Sequence, residues 1–417
     1  MQSWQLPEYI ADILPSTARQ LESAKEALLG LFRVHGYELV SPPLLEYTSS
    51  LLLDIDDGLA LKTVRIVDQI SGRQLGVRAD ITPQVARIDA HLLAGNDGIN
   101  RLCYAGSTVH ARPDSLLSTR EPLQIGAELY GYAGIEADVE IIDLMLKTLS
   151  LAHAQDVYLS LGHVGIFQAL ADKAALTQAQ RDSLLYLMKD KDSEAVLEAM
   201  QAWDIDTIWK ETFAVLPTLY GDVETVLRRA REDLPAIKGV QDALDALKSI
   251  CKQFKAYKVH IDLSILRNDS YHTGLLFAAY APGWPDALAR GGRYDGLGSQ
   301  FGRARPATGF SLDLRDLIHV LPQRPARQGI KVASAAANDA REEMNKLRHN
   351  GEVVVIDYLN DSAQVLHCDR ELVLKDGAWK VVPCDCKFLC RNKQWLRMLS
   401  WSARNGATKV KARLSIG

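Results

Sequence analysis

No apolar run in the 417-residue sequence reaches the roughly 18 to 20 residues that span a bilayer, which excludes a helical membrane protein. The N-terminus, Met1-Gln2-Ser3-Trp4-Gln5, has no basic flank leading into an apolar stretch, so no signal peptide is expected. Both absences make the cytoplasm the expected compartment. No long Lys/Arg stripe occurs before Arg397, and the net charge is −4 with a pI of about 6.2. The electrostatic footprint of a nucleic-acid binder is therefore missing. Cysteine is sparse. Cys103, Cys251 and Cys368 are scattered and read as buried thiols, while Cys384, Cys386 and Cys390 give three thiolates without a fourth ligand, a poor zinc site. His35, His91, His163 and His319 also lack partners at metal spacing. No metal and no cofactor is expected, and there is no internal repeat. What is present is a soluble composition, 47% hydrophobic and 24% charged, in a chain long enough for two or three domains.

Leu21, Ala24, Leu28 and Phe32 recur at helical spacing and predict a helix over 16–36, capped by Ser16 or Thr17 and closed by Gly36. Paired prolines at Pro42 and Pro43 keep the following stretch extended. A hairpin over 64–78 turns at Ser71-Gly72, and a helix follows from about Asp138 to Ala154. Residues 170–254 are almost wholly helical in pattern and read as an insertion, after which Val259–Leu263 and Leu275–Tyr280 read as strands. Gly291-Gly-Arg-Tyr-Asp-Gly-Leu297 reads as a Gly-punctuated turn. A linker near Pro322–Gly329 leads to a small α/β domain over 330–383 with a hairpin turning at Asp376-Gly377.

Several motifs fall in a consistent order. They are Val77-Arg-Ala-Asp-Ile-Thr-Pro-Gln-Val-Ala-Arg87, then Tyr104-Ala-Gly106 to Gln124-Ile-Gly-Ala-Glu128, then Arg267-Asn-Asp-Ser-Tyr-His-Thr-Gly274, Gly291–Leu297 and Thr308-Gly-Phe-Ser-Leu-Asp-Leu314. In this order they resemble the class II histidyl-tRNA synthetase core over about residues 5–320. The resemblance implies an α/β (α+β) fold: an antiparallel sheet core over 1–325, the helical insertion, and the small C-terminal domain.

On a strand, Gln124, Gly126 and Glu128 point to one face, with Gly126 leaving room for a ligand. With Asp80 the resemblance makes Gln124 and Glu128 the set receiving an α-ammonium, through charge-assisted hydrogen bonds. It gives Arg267 the carboxylate, and puts Tyr271 or His272 near where the imidazole is read. It also makes Thr82, Gly291, Gly292, Arg293 and Tyr294 the expected pocket loop. Asp80 is one methylene shorter than the family's glutamate, and His272 replaces a tyrosine.

The nucleotide side departs further. Adenylation needs a cation on the α-phosphate as charge develops. The family's loop arginine falls on His110, before Arg112-Pro113, and its helix arginine falls on Asp316, beside Arg315. A carboxylate there would repel phosphate. A synthetase paralogue with a histidine pocket and no ATP groups resembles the regulatory subunits of short-form ATP phosphoribosyltransferases. That resemblance implies no catalytic residues, histidine as ligand, and a homodimer packed around Pro42 and Pro43 within a hetero-oligomer with the short-form catalytic subunit; no tRNA is expected. The competing readings are a working histidyl-tRNA synthetase and a synthetase-like enzyme acting on another acceptor. Both need ATP, so ATP-dependent pyrophosphate exchange separates them.

The tail over 384–417 has a different origin. Back-translated and read from the last base of the Gln394 codon, it can encode a sequence resembling the start of adenylosuccinate synthetase. It is expected to be out of frame and disordered.

Overall fold

The computed structural model describes residues 5–52, 57–113, 115, 118–264, 272–320, 328–360 and 366–384. The chain divides into two compact units, Met1–Pro322 and Gln323–Gly417. Arg267, Tyr271, part of the expected linker and residues 385–417 lie outside the described residues.

The first unit is built on a nine-stranded sheet. Its order is Glu38–Leu39, Asn100–Ser107, Leu123–Tyr130, Ala307–Asp313, Ala289–Arg293, Leu275–Tyr280, Tyr158–His163, Lys258–Asp262, Tyr220–Asp222. The central pairings are antiparallel, as expected. The first pair and the Tyr158–His163/Lys258–Asp262 pair are parallel, however, so the sheet is mixed. The second parallel pairing follows from the insertion, which returns the chain beside Tyr158–His163 after a long helical crossover.

Alternation along Leu123–Tyr130 fixes the two faces of the sheet. Ile125, Ala127 and Leu129 are buried in the main core, with Phe310, Leu312, Phe277, Leu159 and Leu161 from neighbouring strands. Helices Pro15–Val34 and Ile135–Leu151 pack on this face, and Phe32 meets Phe310 edge-on with ring centroids 5.9 Å apart. The first helix begins at Pro15, and its N-cap, Leu14, makes no side-chain bond. Proline at the first helical position needs no hydrogen bond there and presets φ, which displaces the expected Ser16 or Thr17 cap. Gly36, at φ +83°, closes the segment as expected.

Leu45–Tyr47, Gln74–Val77 and Val64–Val67 form a separate three-stranded sheet. Between Val164 and Gln253 the chain is helical apart from Leu216–Asp222 and short turns.

Gly291 and Gly292 are not in a turn. They lie within strand Ala289–Arg293, opposite Phe310 and Gly309. A Cβ on Gly292 would stand 2.6 Å from His272 Cδ2 and 2.8 Å from the Leu275 carbonyl, so close packing rather than chain reversal requires glycine there.

In the second unit, strands Val354–Asp357, Gly329–Ala333, Cys368–Lys375 and Ala378–Pro383 are adjacent in that order. The last two form the expected hairpin, with Asp376 and Gly377 both at positive φ. Helix Arg341–His349 sets Met344 against Ile330, Val332 and Leu372. Its acidic first turn and basic last turn complement the helix dipole.

Candidate ligand pocket

On the sheet face opposite the main core, a cleft is lined by Thr82, Glu128, His272, Arg290, Tyr294 and Ser311, with Gly291 and Gly292 in its floor. Glu128 lies at the bottom and is 1% exposed. Tyr104 donates to its Oε1 at 3.1 Å, and Tyr294 donates to its Oε2. The Tyr294 hydroxyl is also 3.3 Å from that of Tyr130, and the Tyr104 hydroxyl is 3.2 Å from Thr82 Oγ1. Burial pushes the Glu128 carboxyl up to about 8, against the lowering effect of the two phenol hydrogen bonds. The neighbouring Asp80 charge acts in the same upward direction.

Gly309 makes this arrangement possible, because a Cβ there would collide with Glu128 Oε2 and stand 2.5 Å from its Cδ. Gly126 does not leave room for a ligand as expected. The Tyr104 hydroxyl and the Phe310 carbonyl each lie 2.5 Å from where its Cβ would be, so the Tyr104 ring occupies that space.

The three expected ammonium partners are not used alike. Asp80 Oδ1 accepts from Gln124 Nε2 at 2.8 Å and from the Thr82 amide at 3.1 Å, while Gln124 Oε1 accepts from the Ile81 amide at 2.9 Å. Gln124 thus clamps the turn that carries Asp80. His272 is buried and meets the Tyr294 ring edge-on, with centroids 6.4 Å apart.

Arg293 serves the opposite side of the sheet. Its Nε and Nη2 donate to Asp138 Oδ2 at 3.1 and 2.9 Å, and Nη2 donates to the Gly134 carbonyl at 3.0 Å. It anchors the start of helix Ile135–Leu151 instead of facing the cleft. Burial raises the Asp138 carboxyl, and Arg293 opposes that shift.

The nucleotide-side positions are engaged within the protein. His110 is buried, with Nε2 3.0 Å from the Ala79 carbonyl. Arg120 Nε donates to the His110 carbonyl at 3.0 Å. Arg315 Nη2 donates to Glu121 at 2.9 Å, and Asp316 stands in the first turn of helix Leu314–Val320. Among the described residues, no group of three or more His, Cys, Asp or Glu side chains could hold a metal ion. No helix among them is long and apolar enough to cross a membrane.

Reading the sequence alone misses Tyr104, Tyr130 and Arg290. Tyr104 opens a quoted motif and Arg290 directly precedes the double glycine, so position gave a signal that residue type did not.

Comparison with known proteins follows the two units. Residues 9–317 match the family described as histidyl-tRNA synthetase. Residues 327–382 match the ATP phosphoribosyltransferase subunit HisZ C-terminal domain. An ATP phosphoribosyltransferase regulatory subunit of Neisseria meningitidis serogroup C is 58% identical over 382 residues, 92% of this chain and 100% of the relative. Its counterpart from Chromobacterium violaceum is 55% identical over 384 residues, with the same coverage. Among solved structures, an ATP phosphoribosyltransferase regulatory subunit/histidyl-tRNA synthetase from Bacillus halodurans superposes with a TM-score of 0.77 at 26% identity, covering 88% of this chain and 95% of that one. A histidyl-tRNA synthetase from a Nostoc species gives 0.75 at 15% identity, covering 92% and 97%, which bears on the fold alone.

Proposed function

The chain belongs to the family of ATP phosphoribosyltransferase regulatory subunits, and from that premise we propose how it performs this role. It is a non-catalytic subunit with a synthetase-like fold, acting in histidine biosynthesis beside a catalytic partner. The partner is a short-form catalytic subunit, the ligand is histidine, and the chain works as a homodimer within the hetero-oligomer.

One observation carries the ligand assignment, the asymmetry of the site. Its amino-acid side keeps a buried carboxyl among hydroxyls, whereas its nucleotide side is consumed by protein contacts. His110 stands where the family has the arginine that holds charge developing on the α-phosphate, and its ring is turned to the Ala79 carbonyl.

The different partners of Asp80 and Glu128 support dividing the ligand between them. Asp80, held by Gln124 and Thr82, suits the α-ammonium. Glu128, which burial keeps largely protonated near neutrality, suits an uncharged hydrogen-bonding ring, with His272 beside it. Arg267 takes the carboxylate, on sequence grounds.

Calorimetric titration with histidine tests the assignment. The wild-type chain binds histidine without ATP, and Glu128→Ala does not. Equal binding by both proteins would place the ligand elsewhere.

A further inference from the structure

Arg290 brings a guanidinium to the cleft from the strand beside Ala307–Asp313. Alternation along Ala289–Arg293 fixes its face. Gly291 pairs with Phe310, which belongs to the main core, so Arg290 and Gly292 turn to the cleft. Arg290 stands opposite Ser311, Ser311 opposite Gly126, and Gly126 opposite Tyr104. Residues paired in this way share a face, so one rung of the sheet carries the guanidinium and the hydroxyls of Ser311 and Tyr104. The next rung on that face holds Gly292, Gly309 and Glu128. Successive rungs are about 7 Å apart, comparable to the length of histidine from its far ring nitrogen to its carboxylate.

The guanidinium is held at one corner. Its Nη2 donates to Asp286 Oδ1, which also accepts from the Ala287 amide at 2.8 Å. Among the described residues that is its only hydrogen bond, whereas an arginine carries five N–H donors. The Arg290 and Asp286 side chains are 37% and 51% exposed, and so exposed a pair contributes little to stability. It orients the cation and leaves donors for a second anion. Among the residues lining the cleft the one carboxyl is Glu128, which burial keeps largely protonated near neutrality, so Arg290 carries the charge of the lining.

We propose that Arg290 and Ser311 form a seat for the ligand's carboxylate, and that Arg290 is a specificity-determining residue selecting free amino acids over analogues without that group. The ring, the carboxylate and the ammonium then fall in order on the Glu128, Arg290 and Gln124 rungs, with Asp80 held by Gln124 at the last. A carboxylate accepts at about four positions, so the seat is compatible with a contact to Arg267 as well. The proposal rests on the reading that histidine binds in this cleft.

The test is calorimetric titration of the full chain with histidine and with histidinol, which keeps the ring and ammonium but has a hydroxymethyl group in place of the carboxylate. The wild-type chain should prefer histidine. Arg290→Gln should weaken histidine by at least about tenfold and leave histidinol unchanged, since it removes a charged hydrogen bond made to the carboxylate alone. Ser311→Ala should show the same pattern at about fivefold. Glu128→Ala, which addresses the ring, should weaken both ligands. Histidine affinity retained in Arg290→Gln but lost in Glu128→Ala overturns the seat alone. Equal weakening of both ligands in Arg290→Gln makes that residue merely structural and also overturns the seat. Histidine bound equally well by the wild type and Glu128→Ala overturns the reading beneath it, and the seat with it.

Discussion

Glu128→Gln isolates the buried carboxyl at the bottom of the cleft. The wild-type carboxyl is fully buried and pushed up to about 8, while in the unfolded chain it returns to its ordinary 4.5. The folded state thus holds a proton that the unfolded state gives up across the interval between those values. The stability this proton contributes is fully present below about pH 4.5 and is lost as pH rises through 8. Between pH 5 and pH 9 the loss is about 4 kcal/mol, from the two protonation equilibria at about 1.36 kcal/mol per pKa unit.

Glutamine keeps the shape and cannot titrate. It also leaves an amide group among the hydroxyls of Tyr104 and Tyr294, a cost that does not vary with pH. Urea unfolding of both proteins at pH 5, 7 and 9 separates the two effects. The variant should gain about 4 kcal/mol relative to wild type from pH 5 to pH 9, whatever its offset at pH 5. Parallel pH profiles would refute the reasoning, because they would mean that Glu128 is ionised at its ordinary value.

Arg293→Met should destabilise the fold by about 3–5 kcal/mol in urea unfolding, because it leaves Asp138 buried without its cation. The loss should shrink at acidic pH as Asp138 protonates; a loss below about 1 kcal/mol would show that the pair behaves like an exposed one and contributes little. Gly309→Ala should drive Glu128 from its place, costing about 1–3 kcal/mol of stability and weakening histidine at least about tenfold by calorimetry. Retained affinity would remove Glu128 from the ligand. His110→Arg combined with Asp316→Arg should not give histidine-dependent ATP–pyrophosphate exchange, since position 110 is directed at the Ala79 carbonyl and Arg315 is held by Glu121. Exchange above background would show that the nucleotide side is lacking only those two side chains.

The elements with a local signal were legible in the sequence. The alternation of Gln124, Gly126 and Glu128 placed them on one face, and Asp376-Gly377 gave its hairpin directly. What was not legible depended on partners distant in the chain. Arg293 finds Asp138 155 residues away, and nothing near either residue announces the pair. Gly291 and Gly292 have a turn-like composition, and only the facing His272, Phe277 and Gly309 show that they are strand residues in need of clearance. Gly126 looked like open space because the Tyr104 ring that fills it comes from the neighbouring strand. The parallel pairing of Lys258–Asp262 likewise depends on where the whole insertion returns.

The central claim is tested most directly by reconstitution. The chain is added to a short-form catalytic subunit, and phosphoribosyl-ATP formation is followed with and without histidine. The account predicts activity that requires the mixture and falls as histidine is added, with inhibition relieved in Glu128→Ala. Activity of the catalytic subunit that neither depends on this chain nor responds to histidine through it would contradict the account.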